Sequence, residues 1–137
     1  DYYILFSKYM KKVRVCNAPN ASGKCWAKDW YYSTGSKVPA VESTSSSLIL
    51  PNGTSMLFYH MSENCDSTDE LKEPVGCGRI RVDLNGLKKP NVVGKDIFDF
   101  YITNDALIAR GSDKTINSIT TDWGRAAYVL QNGKIDY

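Results

Sequence analysis

Histidine is almost missing from this chain: His60 is the single one in 137 residues. The four cysteines show no C-x-x-C spacing. A zinc centre needs about four nitrogen or sulfur ligands at short, repeated spacings, so one is excluded in practice. Nucleophilic catalysis fares no better. There is no G-x-S-x-G, and His60 has no activated Ser or Cys to pair with. Neither a Walker A loop nor a dinucleotide glycine fingerprint occurs. Apolar runs of membrane-spanning length are lacking, as is a signal peptide. Charge of one sign is lacking too. Seventeen basic residues face fifteen acidic ones without a sustained basic stripe, which argues against nucleic acid as a partner. These absences point to a protein that is not an enzyme.

What is present is the composition of one folded domain over residues 1–137. Hydrophobic residues make up 42% and charged residues 23%, enough apolar content for a single core and too much for a disordered chain. Nine tyrosines and three tryptophans suit strands and also suit contact surfaces. The cysteines fall as two near pairs, Cys16 with Cys25 and Cys65 with Cys77. Disulfides closing short loops are the better reading, although four cysteines allow three connectivities. Each would contribute about 2–3 kcal/mol in the chain-entropy model and imply an oxidising compartment.

Residues 1–15 are predicted to form a helix. Leu5, Phe6, Tyr9, Met10 and Val13 make one apolar face, and Lys8, Lys11, Lys12 and Arg14 gather near its C-terminal end. Asn17-Ala-Pro-Asn would stop it. Trp26, Trp30, Tyr31 and Tyr32 interrupt a loop-rich stretch, as a cover for the core or as a carbohydrate-stacking patch. A hairpin is expected over 47–60, where Asn52-Gly53 separates two apolar runs. His60 then sits at a strand end. An acidic loop with Glu63, Asp66, Asp69, Glu70 and Glu73 follows over 61–78. Ala106–Ala109 is a further short strand. A C-terminal helix from Trp123 to Gln131 has Asp122 as a possible N-cap and Asn132-Gly133 as its stop. The expected class is α+β, with the N-terminal helix packed on one face of an antiparallel sheet and a short C-terminal helix. Asn20-Ala-Ser and Asn52-Gly-Thr are N-glycosylation sequons, of consequence only in a secreted eukaryotic protein.

The centre of the chain is the stretch 79–103. Ile80, Val82 and Leu84 alternate with Arg81 and Asp83; Phe98, Phe100 and Ile102 alternate with Ile97, Asp99 and Tyr101. Two strands are predicted, joined by a loop rich in turn formers and oxygen donors. Asp83, Asn85, Asn91 and Asp96 are the hard donors a Ca²⁺ ion prefers. The spacing is not that of an EF-hand, and Lys88, Lys89 and Lys95 lie among the donors. The same side chains are equally suited to Asx turns that bond the loop's own backbone.

The run Val82-Asp-Leu-Asn-Gly-Leu-Lys-Lys-Pro-Asn-Val-Val-Gly-Lys-Asp-Ile-Phe-Asp-Phe100 resembles the D-x-N-G…P-N…G-x-D-x-F-x-F signature of one bacterial group of type IV pilins and type II secretion pseudopilins. The tail from Trp123 to Gly133-Lys-Ile-Asp-Tyr137 is similar to that group's ending. The resemblance implies a pilin-like fold and a non-enzymatic subunit of a surface or secretion filament. Its partners would be other pilin or pseudopilin subunits, and a membrane reached through an apolar N-terminal helix missing here. The chain opens without Met inside an apolar-periodic segment, as a processed chain would. The implied location is periplasmic or extracellular, with membrane anchoring before assembly. Some pseudopilins bind Ca²⁺ in a sheet loop, and the matching positions are those of 83–96. The alternative is a secreted module that binds glycan or a receptor through the Trp26–Tyr32 aromatics.

Overall fold

The computed structural model describes residues 8–16, 21–39, 46–68, 74–112 and 121–135. Eight strands occur among them: β1 (Arg14–Cys16), β2 (Ser46–Ile49), β3 (Ser55–His60), β4 (Ser67–Thr68), β5 (Pro74–Gly76), β6 (Gly78–Asp83), β7 (Ile97–Ile102) and β8 (Leu107–Ala109). A 3₁₀ turn (Asp122–Gly124) leads into α1 (Arg125–Asn132). The strands form one sheet in the order β1-β2-β3-β6-β7-β5-β4, with β8 also paired to β7. All pairings are antiparallel except that of β5 with β7. No helix among the described residues is long and apolar enough to cross a membrane.

The predicted α+β arrangement is overturned at its first element. Of residues 1–15, positions 1–7 lie outside the described residues, and only Lys8 and Tyr9 of the remainder are helical. Arg14–Cys16 is instead the edge strand β1, paired with Ile49–Ser47 of β2, and Val13 N–H donates to Ile49 O at 2.8 Å. The physical reason is that, among the described residues, the proposed apolar stripe is left largely uncovered. Tyr9 is 75% exposed and Val13 70% exposed. Amphipathic helices in proteins are held chiefly by burying that stripe. The β-branched Val13 and Val15, and the tie from Cys16 to Cys25, favour extended backbone instead. The molecule is therefore a mainly antiparallel sheet domain with a short C-terminal helix.

The other elements follow local chemistry. Asn52-Gly53 turns β2 into β3, with Asn52 Oδ1 accepting from Thr54 N at 3.1 Å. The acidic stretch contains the short strands β4 and β5, and Asp69, Glu70 and Glu73 lie outside the described residues. Both disulfides join near neighbours, Cys16–Cys25 and Cys65–Cys77. They place the chain in an oxidising, non-cytoplasmic compartment. At the C-terminus Gly133 adopts left-handed backbone and donates to Val129 O, ending α1. Thr121, not Asp122, caps the start: its Oγ1 accepts from Gly124 N at 3.2 Å.

The sheet is covered on both faces. Leu57, Tyr59 and Ile97 form one side of a cluster closed by Trp26, Trp30, Ala27 and Val38 from the loop after β1. The opposite face gathers Leu48, Phe58, Ile80 and Ile102. Phe98 and Ala109 take the small face of α1, Ala126 and Ala127. Strands β6 and β7 lie in continuous register from Gly78↔Ile102 to Asp83↔Ile97, which sets Arg81 opposite Asp99. Both are buried. Arg81 Nε and Nη2 donate to the two Asp99 oxygens at 2.6 and 3.1 Å. Arg110 Nη1 donates to Asp99 Oδ2 at 3.1 Å, and Arg79 Nη1 lies 3.8 Å away. The Arg81 guanidinium is sandwiched by rings, 4.0 Å from the Trp123 centroid and 5.2 Å from that of Trp30. Burial alone would raise the Asp99 pKa; Arg81, Arg79 and Arg110 outweigh it and hold the carboxyl below its usual range.

Removing one member of a buried pair leaves the other charge uncompensated, which costs about 3–5 kcal/mol. Asp99→Asn is expected to destabilise the domain by that order in urea unfolding. The double variant Arg81→Met/Asp99→Leu should lose distinctly less than the sum of the two single changes.

Candidate functional site

The loop between β6 and β7 begins on a buried acid. Asp83 has no exposed surface. Its Oδ1 accepts from Asn85 N at 3.1 Å and from Gly86 N at 3.0 Å, an Asx turn at the strand end. Gly86 has φ of 58°, and a Cβ there would lie 2.0 Å from Gly53 O. The loop thus rests on the β2–β3 turn, and only glycine permits the approach. Asn85 Nδ2 donates to Pro90 O at 2.8 Å across the loop, and the Lys89–Pro90 bond is cis. On the return side Asp96 Oδ2 accepts from Val92 N at 3.2 Å, and Leu84 N donates to Asp96 O at 2.9 Å.

The four proposed cation ligands are therefore gathered in one loop, where three of them bond the backbone. Asp83, Asn85 and Asp96 each bond the loop's own backbone. Two oxygens, Asp83 Oδ2 and Asn91 Oδ1, are buried with no hydrogen-bond donor among the described residues. No group of three or more His, Cys, Asp or Glu side chains among those residues is arranged to hold a metal. As placed, Asp83 makes an Asx turn, and Asn85 and Asp96 cross-brace the loop. Burial pushes Asp83 up to about 7, against the two amide donors, with the nearby Asp96 charge adding to the rise.

The aromatic segment meets this loop. Tyr31 N donates to Asn91 O and Val93 N donates to Tyr31 O, both at 2.9 Å. This two-residue bridge docks 30–38 against 91–93. Trp26 and Trp30 are buried in the core and present no face to solvent. Tyr32 packs edge-on against Trp123 at 6.3 Å. The segment is braced from the C-terminal side by Asp122, whose carboxylate accepts from Ser33 N and Ser33 Oγ at 2.7 Å each. Between the segments lies a cleft of about 530 Å³, with Tyr31, Tyr32, Lys89, Pro90, Asn91 and Lys95 in its lining. His60, by contrast, is an exposed residue at the end of β3, outside this cleft.

Two features escaped the reading of the sequence. One is the buried Arg81–Asp99 pair, whose only signal was a charge centred in each of two matched apolar strands, R-I-R-V-D and F-D-F. The other is the meeting of Tyr31 with Asn91, 60 positions apart, for which the sequence carries no local signal.

A carboxyl whose folded pKa is raised stabilises the native state at low pH, and that stability is lost as pH rises through the folded value. For Asp83 the window runs from about 4, the unfolded value, to about 7. At about 1.4 kcal/mol per pKa unit the loss is on the order of 2–4 kcal/mol. Asp83→Asn is expected to flatten the fall in stability between about pH 4 and 7 and to raise the melting temperature at the upper end. The melting temperature at the upper pH should be the same in EDTA and in millimolar Ca²⁺. A rise in Ca²⁺ that Asp83→Asn abolishes would assign Asp83 to a cation instead.

Comparison with known proteins leaves this site to its own geometry: no family model, no curated protein and no solved structure matches the chain.

Proposed function

We propose that the chain is a non-enzymatic structural subunit of a bacterial surface or secretion filament, as pilins, minor pilins and pseudopilins are. The observation that carries the reading is the D-x-N-G…P-N…G-x-D-x-F-x-F run. Its residues are those the centre of this sheet requires. Asp83 closes the Asx turn, and Gly86 admits the contact with the β2–β3 turn. Gly94 passes Arg125 and Asp122 too closely for a side chain. Phe98 seats α1. The signature is thus a folding motif that builds a rigid rim, as a subunit surface needs. The oxidising location set by the disulfides is compatible with a periplasmic or extracellular subunit anchored in the membrane before assembly. The helix-first order does not support the reading, because the described N-terminal segment is largely non-helical and ends in a strand.

A second reading, the secreted binding module, is favoured by the cleft. It is narrowed by the burial of Trp26 and Trp30, which leaves Tyr31 and Tyr32 as the aromatics a ligand could reach.

Two measurements test the filament reading. The gene upstream of Asp1 is expected to encode a basic leader and an apolar segment of about 20 residues. Immunogold labelling of source cells with an antibody to this domain is expected to decorate filaments or the secretion apparatus. An upstream region without an apolar segment would end the proposal.

A further inference from the structure

The cleft between Tyr31–Gly35 and Lys89–Lys95 has a chemistry that limits what it can hold. Its volume of about 530 Å³ lies in the ordinary range for small-molecule sites, about 300–1,000 Å³. Most of the main-chain amides around it are engaged. The amides of Tyr31, Tyr32, Ser33, Gly35, Val92 and Lys95 all donate within the chain. A peptide strand added here would find no row of free N–H groups, so strand addition is excluded as the mode of recognition. Recognition falls to side chains: two half-buried tyrosines, the apolar ring of Pro90 and two ammonium groups.

The charges nearby are unequal in availability. Asp122 accepts from Ser33 and Asp96 from Val92 N, while Asp29 is ion-paired with Lys37 at 2.5 Å and also feels the charge of Lys89. Lys89 and Lys95 are exposed and have no acidic partner within ion-pair distance among the described residues. The cleft therefore offers apolar tyrosine and proline surface beside two exposed ammonium groups that make no direct ion pair. The complement is a ring with an apolar C–H face and a negative group at its edge.

We propose that this cleft binds an acidic saccharide, a pyranose bearing a carboxylate, with a sugar face on Tyr31 and Tyr32 and the carboxylate between Lys89 and Lys95. The proposal deepens the binding-module reading and is independent of the filament reading. Tyrosine combines a flat apolar face with a polar rim, so it stacks on sugars without losing contact with water. The ammonium groups supply the sign selectivity and act as point charges without fixed geometry. A site this open and small should bind weakly, at roughly millimolar to submillimolar Kd.

The experiment is a titration of the whole ¹⁵N-labelled domain with trigalacturonic acid, followed by amide and side-chain NMR shifts. Cellotriose serves as the neutral sugar and hexaglutamate as the acidic peptide. Trigalacturonic acid is expected to shift Tyr31, Tyr32, Lys89 and Lys95 saturably. The variant Lys89→Gln/Lys95→Gln, which alters only exposed side chains, should melt like wild type and lose about tenfold in affinity. Tyr31→Ala should weaken binding while the Lys89 and Lys95 resonances stay at their free positions. No saturable shift at about 10 mM sugar overturns the proposal. So does equal binding of cellotriose or hexaglutamate, or unchanged affinity in the lysine variant. None of these outcomes touches the filament reading, which the upstream gene and the labelling decide.

Discussion

Asp99 is a carboxylate with no exposed surface and three guanidiniums in front of it. Burying an ion costs several kcal/mol unless it is paired and its lone pairs are satisfied. Here the cost is met from three directions at once: Arg81 and Arg79 from the neighbouring strand and Arg110 from just after β8. The positive charge this gathers needs its own cover, and Trp123, Trp30 and Tyr59 supply it with ring faces. Three segments distant in sequence are thereby obliged to converge on one point of the sheet: the loop carrying Trp30, the β8 end carrying Arg110, and the 3₁₀ turn carrying Trp123.

That convergence positions the candidate site. Trp30 lies under the segment whose next residues, Tyr31 and Tyr32, wall the cleft. Asp122, next to Trp123, reaches up to hold Ser33 on the same wall. The opposite wall hangs from Asp83 and Asp96, which shape the loop between the two strands that carry Arg81 and Asp99. The cluster thus lies beneath both walls, which the Tyr31–Asn91 and Val93–Tyr31 backbone bonds also hold together. The two central acids also respond to pH in opposite senses. Asp99 is held ionised by its arginines, while Asp83 meets two amides and no cation and is pushed toward its neutral form.

The disulfides act on a different part of the molecule. Cys16–Cys25 fastens the edge strand to the start of the aromatic loop, and Cys65–Cys77 closes the acidic stretch onto the start of β6. Both span few residues, so each closes a short loop. Cys77 also bonds the ends of the central strands, donating to Ile102 O and accepting from Met61 N.

Several features were legible in the sequence because they are decided within a few residues. Asn52-Gly53 accepts the backbone of a tight turn, Gly133 ends a helix, and the period of two over 80–84 and 97–102 marks two strands. Short spacing also favoured the local pairing of the cysteines. The loop donors at 83–96 were recognisable as a set, and their chemistry allowed either Asx turns or a cation. What only the tertiary structure decided involves partners far apart in the chain. The apolar period from Leu5 to Val13 suggested a helix over 1–15, but no described surface covers Tyr9 or Val13, and pairing with β2 drew Arg14–Cys16 into a strand. Alternation in β6 and β7 separated Arg81 and Asp99 from the apolar residues without showing that their face is covered as well. Strand register and the packing of Trp30 and Trp123 made that face interior. Local propensity acts over a turn or a strand, whereas burial is a property of the whole fold, and burial determined which charges pair and where a cleft opens.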